Sequence, residues 1–186
     1  LTLETLGCLG RAVVAPSANR FGHTSPTCAA HVLAEFGPSL AVLDGGPCTV
    51  GLESSIVDLT GERPRLLRPG QLSRAELEEV LGPFALAQGV VPRVPGALER
   101  HYAPRTLTRW EDGLTPGGSW GWLGFASRGA DAEVLMPSGA AAYGARLYAA
   151  LRELDQAGLS VILLERPPEG PEWEAVWDRL RRATRD

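Results

Sequence analysis

A stretch rich in proline and glycine, from about Gly82 to Arg105, divides this 186-residue chain into two parts. Proline fixes the backbone φ angle and lacks an N–H donor, so this stretch cannot continue a helix or a central strand. On both sides of it, short apolar runs alternate with helical patterns, which is typical of α/β layers. Long irregular segments inside a compact chain are usually functional loops or linkers. We therefore predict two α/β units, residues 1–88 and 108–186, joined by a linker over residues 89–107.

The first part is predicted to contain four short strands and two helices. The strands are predicted from apolar runs that end at turn residues: Ala12–Ala15, Leu40–Leu43, Ser55–Leu59 and Arg65–Leu67. Ser25-Pro26 is the pattern of a helix start, and Gly37 is the pattern of a helix end. Ser73 and Glu76 form a capping-box pattern that predicts a helix to about Leu81.

The second part repeats the α/β pattern. Strands are predicted over Trp120–Phe125 and Val161–Leu164, separated by a helix that Ser138 caps and that extends through Ala157. Pro171 is predicted to open a last helix. Its apolar residues, spaced for one helical face, are Trp173, Val176, Trp177 and Leu180.

The charged residues and cysteines exclude several classes of function. All 18 basic residues are arginines, which excludes lysine bases, Schiff bases and P-loop lysines. A formal net charge of -4 disfavours sequence-independent nucleic-acid binding, which needs a basic surface. No apolar run approaches the roughly 18 residues of a membrane span. Three widely spaced cysteines favour a reducing compartment. We predict a cytoplasmic protein without membrane association or a metal site.

Polar residues follow the first predicted strand, where α/β proteins often bind ligands. Ser17 and Asn19 lie just after that strand, and Ser25 precedes the first predicted helix. Two interpretations fit these residues. They form a loop that holds a phosphate or nucleotide with N–H groups and hydroxyls, or they form a turn and an ordinary helix cap.

Three further segments carry candidate ligand contacts. Ser54 lies in a glycine-containing segment where the backbone can approach a ligand. Arg68 ends a strand, and its planar guanidinium suits a phosphate. His101 and Tyr102 lie in the predicted linker, where they fit a lid over a bound ligand. The alternatives are structural: a tight turn, a solvated arginine, and a linker packed onto a domain by its aromatic residue.

Five motifs, taken in order, resemble the threonylcarbamoyl-AMP synthases that join a YrdC-like domain to an extra C-terminal domain. They are A-P-S-A-N-x-x-G-x-x-S-P-T (Ala15–Thr27), L-D-G-G (Leu43–Gly46), G-L-E-S-S-I-V-D (Gly51–Asp58), L-R-P-G (Leu67–Gly70) and P-G-x-x-x-x-H-Y-A-P-R-T (Pro95–Thr106). Leu147-Tyr148 and the W-D-R-L ending (Trp177–Leu180) look like the extra domain. The implied fold class is α/β: the C-terminal half of a YrdC-like twisted-sheet domain, then a small Rossmann-like domain.

This resemblance implies a nucleotidyltransferase, L-threonylcarbamoyladenylate synthase. It converts L-threonine, bicarbonate and ATP, accompanied by Mg²⁺, to threonylcarbamoyl-AMP and pyrophosphate. The residues that match family positions for ATP contact are Ser17, Asn19, Ser25, Arg68, His101 and Tyr102, and those for the threonine pocket are Ala15 and Ser54. The implied partner is a separate threonylcarbamoyl transferase that forms the t6A modification of tRNA, with at most weak direct binding of tRNA by this chain.

The chain departs from the family pattern in two places. Ser54-Ser55 replaces the family's Ser-Thr. The resemblance also implies that the first half of the YrdC-like domain, with a basic substrate-binding motif, lies upstream of Leu1. We therefore expect an N-terminally truncated chain, inactive by itself, with exposed strand edges and apolar surface. The alternative function is a YrdC-like RNA-binding or regulatory module without catalysis.

Overall fold

The computed structural model describes residues 2–85, 94–96, 101–113 and 116–184. Within these residues the chain forms five α-helices and six β-strands. The helices are α1 (Thr2–Leu9), α2 (Ala29–Phe36), α3 (Arg74–Leu81), α4 (Ala140–Asp155) and α5 (Glu174–Ala183). The strands are β1 (Ile56–Asp58), β2 (Arg65–Arg68), β3 (Leu107–Trp110), β4 (Trp120–Gly124), β5 (Ala132–Leu135) and β6 (Val161–Leu164).

A four-stranded parallel sheet forms the centre of the second part, in the order β3-β6-β4-β5. Strand β6 is a short apolar run whose last three residues are buried, as is usual for strands of parallel sheets. Helix α4 contacts β4 and β5, and it buries Leu147, Leu151 and Leu154 in the core. This arrangement confirms the predicted α/β class of the second part.

Helix α5 confirms the apolar stripe predicted for the last helix. Pro171 opens a 3₁₀ turn that ends at Trp173, and α5 follows directly. Val176 and Leu180 are buried on one face, while Arg181 and Arg182 lie in the last turn, where the helix dipole favours positive charge. The stripe therefore packs α5 against the same core as α4.

The first part holds only one small sheet among its described residues, the antiparallel pair β1–β2. Asp58 on β1 pairs with Arg65 on β2 at 2.5 Å. Helix α3 follows and begins at the predicted capping box: the Ser73 side chain accepts from the Glu76 N–H, and the Glu76 carboxylate accepts from Ser73 N–H. The strands and the helix predicted over residues 55–81 are thus confirmed, to within one or two residues at their ends.

Two predicted strands of the first part are wrong. Residues Ala12–Ala15 and Leu40–Leu43 are irregular, because no described strand lies beside them to complete a hydrogen-bonded ladder. Their side chains remain largely exposed, and Val14 is 95% exposed. The expected apolar surface is therefore confirmed at these segments.

Two predicted helix starts also need correction. Helix α2 begins at Ala29 rather than after Ser25, because the Ser25 side chain bonds to Glu53 instead of capping the helix. Helix α4 begins at Ala140, with Gly139 rather than Ser138 as its N-cap residue. Helix α1, β3 and β5 had no clear signal in the sequence, since each is short and lacks a strong apolar period.

The described residues of the predicted linker form hydrogen bonds with both parts of the chain. Residues 86–93 and 97–100 lie outside the described residues. Ala103 N–H donates to the Gly22 carbonyl, and Thr106 N–H donates to Asp155 on α4. The boundaries predicted at residues 88 and 108 stay predictions. Among the helices that the structure describes, none has the length and apolarity needed to cross a membrane.

Helix α4 also packs directly on the first part. Gly51, at a φ of 80°, lies so close to α4 that a Cβ there would be 2.6 Å from the Ala145 Cα. Leu52 packs on Gly144 of the same helix and extends the hydrophobic core. This contact places the Gly51–Ser55 segment between the two parts, beside the residues described next.

Candidate functional site

An open cavity of about 430 Å³ lies between the loop after residue 15 and the segment 48–53. Ser17 and Ser25 line one side of it, and Gly51 and Glu53 line the other. Ser17 is exposed, whereas Ser25 is only 8% exposed. The structure therefore brings two of the predicted ATP-contacting hydroxyls to one cavity, beside the glycine-containing segment.

Asn19 shapes the loop that carries Ser17. Its Nδ2 donates to the carbonyls of Arg20 and His23, at 3.0 and 3.1 Å. Its Oδ1 is buried and accepts no hydrogen bond from the described residues. Asn19 thus closes the turn with its amide nitrogen and keeps one acceptor for a further donor.

Glu53 is the centre of the polar contacts around the cavity. Its Oε1 accepts from the Ser25 hydroxyl at 2.7 Å, and its Oε2 accepts from the Tyr148 hydroxyl at 2.8 Å and from Arg179 at 2.9 Å. Burial alone raises the pKa of Glu53, but the Arg179 charge and the hydrogen bonds outweigh it and lower the pKa. Glu53 is therefore ionised at neutral pH.

Arg68 binds the predicted linker to the Gly51–Ser55 segment. Its guanidinium donates to the carbonyl of Ser54 at 2.8 and 3.1 Å and to that of Pro95 at 3.0 Å. It also lies 3.4 Å from the Tyr102 hydroxyl. Arg68 is 7% exposed and does not line the 430 Å³ cavity. Its donors therefore hold backbone carbonyls in this structure rather than facing open space.

Tyr102 is held in an uncommon backbone conformation. Its φ of 59° is in the left-handed region, which few residues other than glycine adopt. Thr24 donates a hydrogen bond to its carbonyl, and its ring packs against Tyr148 and under the Arg179 guanidinium. Burial raises the pKa of Tyr102, so the hydroxyl stays protonated. Gly96 leaves room for that hydroxyl, since a Cβ at this position would collide with it.

His101 packs against the Tyr102 ring, with ring centroids 4.1 Å apart. Its backbone N–H donates to the Arg182 carbonyl at the end of α5. Its Nδ1 is buried without a partner among the described residues. Burial lowers the pKa of His101, and the neighbouring arginines lower it further, whereas the charge of Glu53 raises it. The net lowering of the pKa favours the neutral ring.

The two residues predicted for the threonine pocket do not line the cavity with Ser17 and Ser25. Ala15 and Ser54 are both exposed, and neither lines the 430 Å³ cavity. Ser54 contributes its carbonyl to Arg68. Nothing in the described residues tests the threonine contact, so it stays a prediction.

Three residues of this site had no assigned role in the sequence analysis: Glu53, Tyr148 and Arg179. Glu53 lies within the G-L-E-S-S motif, and Arg179 lies within the W-D-R-L ending. Both motifs supported the resemblance, so the signal was present, but nothing in the sequence paired positions 126 residues apart.

No metal centre is visible in the part of the chain that the structure describes, because no three His, Cys, Asp or Glu side chains converge there. A Mg²⁺ ion that enters with ATP needs only one or two protein carboxylates, since phosphates and waters supply its other ligands. Glu53 is the only carboxylate among the described residues that line the 430 Å³ cavity, and both of its oxygens already accept hydrogen bonds, so the Mg²⁺ expected with ATP stays a prediction.

Two families of known proteins match the chain. The family described as "Threonylcarbamoyl-AMP synthase, C-terminal domain" matches residues 72–184, which is more than half of the sequence. The chain belongs to the threonylcarbamoyl-AMP synthase family. A second family, described as "Telomere recombination", matches residues 1–70. The two matches meet at the end of the L-R-P-G motif.

Relatives of the chain bear the family's name. The threonylcarbamoyl-AMP synthase of Pyrococcus abyssi is 33% identical over 99% of this chain and 61% of the relative. That of Bacillus subtilis is 37% identical over 56% of this chain and 32% of the relative. That of Schizosaccharomyces pombe is 28% identical over 92% of this chain and 52% of the relative. The chain thus spans less than two thirds of the length of each of these synthases.

Solved structures agree with the family assignment. The crystal structure of P. abyssi Sua5 complexed with L-threonine matches with a TM-score of 0.86 and 32% identity, over 98% of this chain and 60% of that one. A variant of the same protein, with a neighbouring His and Tyr both replaced by alanine, matches with a TM-score of 0.85 and 30% identity. These matches confirm the predicted α/β fold.

Proposed function

We propose that this chain is part of an L-threonylcarbamoyladenylate synthase. This nucleotidyltransferase converts L-threonine, bicarbonate and ATP to threonylcarbamoyl-AMP and pyrophosphate. The membership of the chain in the family and the names of its relatives support the activity. The complex of P. abyssi Sua5 with L-threonine supports the amino acid as substrate.

The observation that carries the proposal is the meeting of four separate motifs in space: two of them line one cavity, and two are linked to the segment that lines it by the hydrogen bonds of Arg68. Ser17 and Ser25 come from the first motif, and Gly51 and Glu53 from the third. Arg68 of the fourth motif donates to the carbonyl of Ser54, next to Glu53. Tyr102 of the fifth motif contacts Arg68. Motifs dispersed over about half of the chain would not meet in this way if each were only a local turn.

The proposed chemistry needs positioning more than covalent help from the protein. The threonine nitrogen bonds to the carbon of bicarbonate, with loss of water, to give a carbamate. A carbamate oxygen then attacks the α-phosphorus of ATP, and pyrophosphate leaves with the electron pair of the broken P–O bond. Holding the reactants close accelerates both steps, and excluding water protects the carbamate and the mixed anhydride.

Within this proposal the residues have distinct tasks. Ser17 and Ser25 offer hydroxyls to the nucleotide. Asn19 does not line the cavity, and its role is to shape the loop that carries Ser17 through its bonds to Arg20 and His23. Arg68 orders the segment and the linker rather than meeting the phosphates directly, given its bonds to Ser54 and Pro95. His101, with its unpartnered Nδ1, is the linker group that we propose for ligand contact.

We further propose that the product passes to a separate transferase that modifies tRNA, and that the protein acts in the cytoplasm. Threonylcarbamoyl-AMP is a reactive mixed anhydride, which suits direct consumption by a second enzyme. The three free cysteines, among the described residues, fit a reducing compartment.

Pyrophosphate release by the full-length protein from the natural reading frame tests the activity. We expect release with ATP and Mg²⁺ only when threonine and bicarbonate are both present. Ser25→Ala is expected to lower kcat/KM by about 10- to 100-fold through the loss of a hydrogen bond to the nucleotide.

Ser138→Ala is the matched control, because Ser138 is exposed and caps no helix. Its kcat/KM should equal that of the unsubstituted protein. Pyrophosphate release at the same rate without threonine or without bicarbonate would refute the proposed activity. So would a full-length protein that releases no pyrophosphate.

A further inference from the structure

The contacts of Glu53 link the candidate cavity to the second part of the molecule. Ser25 and Glu53 belong to the first part, whereas Tyr148 is on α4 and Arg179 is on α5. We call these four residues the Glu53 cluster. Since Glu53 receives hydrogen bonds from both parts, the geometry at the cavity depends on helices that do not line it.

Arg179 makes the most extensive contacts of the cluster. Its side chain is fully buried, and its Nε donates to Glu53 Oε2 at 2.9 Å. Its Nη1 donates to the Pro69 carbonyl at 3.0 Å and to Asp178 at 2.7 Å. Its guanidinium also lies 5.2 Å from the centroid of the Tyr102 ring. One arginine therefore contacts the L-R-P-G motif, Glu53 and the H-Y-A-P motif together.

A buried ion pair of this kind is a poor source of stability. Removing two charges from water costs nearly as much as their attraction returns, and apolar residues of similar size often replace such pairs without loss. The value of the pair is geometric, because a planar guanidinium with several fixed hydrogen bonds allows its carboxylate partner little freedom. Arg179 is suited to hold Glu53 in one orientation.

The orientation of Glu53 determines the orientation of the Ser25 hydroxyl. With Oε2 occupied by Arg179 and Tyr148, Oε1 is directed at Ser25 and accepts its proton at 2.7 Å. Ser25 lines the cavity, so its oxygen lone pairs are left for a ligand. The Ser25 oxygen can therefore accept a hydrogen bond from a donor group of the ligand. It has no proton left to donate to a phosphate oxygen.

We propose that Arg179 is a positioning residue for the cavity: it fixes the Glu53 carboxylate and, through it, the Ser25 hydroxyl. This inference rests on the proposed synthase function. It makes the second part of the chain a component of the site, although none of the residues that line the 430 Å³ cavity belongs to that part.

A double-mutant cycle in the full-length protein tests this coupling. Arg179→Lys keeps the charge but loses the forked geometry, and we expect kcat/KM to fall about 10-fold or more. In a Ser25→Ala background, the same change should cost less than about 3-fold, because the group that Arg179 positions is already absent. A purely structural role would give equal losses in both backgrounds.

Tyr148→Phe provides a second test if Arg179→Lys fails to fold. It removes one hydroxyl from a buried ring and one hydrogen bond to Glu53. We expect a loss of about 3- to 10-fold in kcat/KM that also disappears in the Ser25→Ala background.

Arg166→Lys is the matched control. Arg166 also pairs with a carboxylate, Asp112, and stacks over an aromatic ring, Trp110, but it is on the exposed side of the second part. Its substitution should leave kcat/KM unchanged. Losses for Arg179→Lys and Tyr148→Phe that add to that of Ser25→Ala would overturn the inference while leaving the synthase function intact. An unsubstituted protein that releases no pyrophosphate would overturn both.

Discussion

At the scale of single residues, Gly70 has the closest backbone neighbours among the glycines that the structure describes. It ends the L-R-P-G motif and lies against the backbone of the Gly51–Ser55 segment. A Cβ at Gly70 would be 2.6 Å from the Ser54 carbonyl carbon and 2.8 Å from the Glu53 oxygen. The clash is with backbone, which cannot rotate away as the end of a flexible side chain can.

Gly70→Ala is therefore expected to lower the free energy of unfolding by about 1–3 kcal/mol, because the added methyl group displaces the segment that carries Glu53. Gly61→Ala is the control in the turn between β1 and β2, where a Cβ would have only one ordinary contact at 3.7 Å. That change should alter the free energy by less than about 0.5 kcal/mol. Urea denaturation followed by tryptophan fluorescence measures both, and equal midpoints would contradict the close approach.

At the scale of elements, α3 shows which local signals are sufficient by themselves. Its capping box contains a Ser73 hydroxyl and a Glu76 carboxylate that satisfy backbone N–H groups at the helix start. Its end at Gly82 has a φ of 75°, a conformation that favours glycine. Both ends were predicted from sequence, since a cap needs only residues three or four positions away.

Ser73→Ala should lower the free energy of unfolding by about 1 kcal/mol, because the Glu76 N–H loses its acceptor. Ser73→Gly should cost only about a few tenths of a kcal/mol, since glycine is itself a tolerated N-cap residue. Urea denaturation of both variants and of the unsubstituted protein measures these costs. A Ser73→Ala variant as stable as the unsubstituted protein would show that the hydroxyl contributes nothing.

The predicted strands Ala12–Ala15 and Leu40–Leu43 show the limit of local signals. Their apolar runs match those of real strands, but a strand also needs a neighbour for its N–H and C=O groups. The described residues provide none, so both runs are irregular. Strand β6 has a similar run and forms because β3 and β4 flank it.

At the scale of the whole molecule, the two parts are joined by close packing and by buried polar contacts. Gly51 and Leu52 pack on α4, while Arg152 of the same helix donates to the carbonyls of Thr24 and Ser25. Arg152 also pairs with Glu35 of α2 at 3.3 Å. These contacts place the second part directly behind the loop that carries Ser25.

Gly51→Ala is expected to weaken this contact and lower the free energy of unfolding by about 1–3 kcal/mol more than Gly46→Ala does. Both glycines have a positive φ, 80° and 87°, so both changes carry the same backbone strain. Only at Gly51 does the added Cβ meet Ala145; at Gly46 it meets nothing within 4 Å. The comparison therefore measures the packing of the two parts, and equal losses in urea denaturation would argue against it.

The sequence by itself determined the family, the α/β class and the elements whose signals are local, such as α3, β6 and the apolar face of α5. These depend on residue periods and caps that act over a few positions. Tertiary structure alone decided what Arg68, Glu53 and Arg179 do. Arg68 holds backbone carbonyls, and Glu53 meets Arg179 across 126 positions of the chain. A buried charge takes its partner from whatever the fold brings within hydrogen-bond distance, and no local pattern encodes that distance.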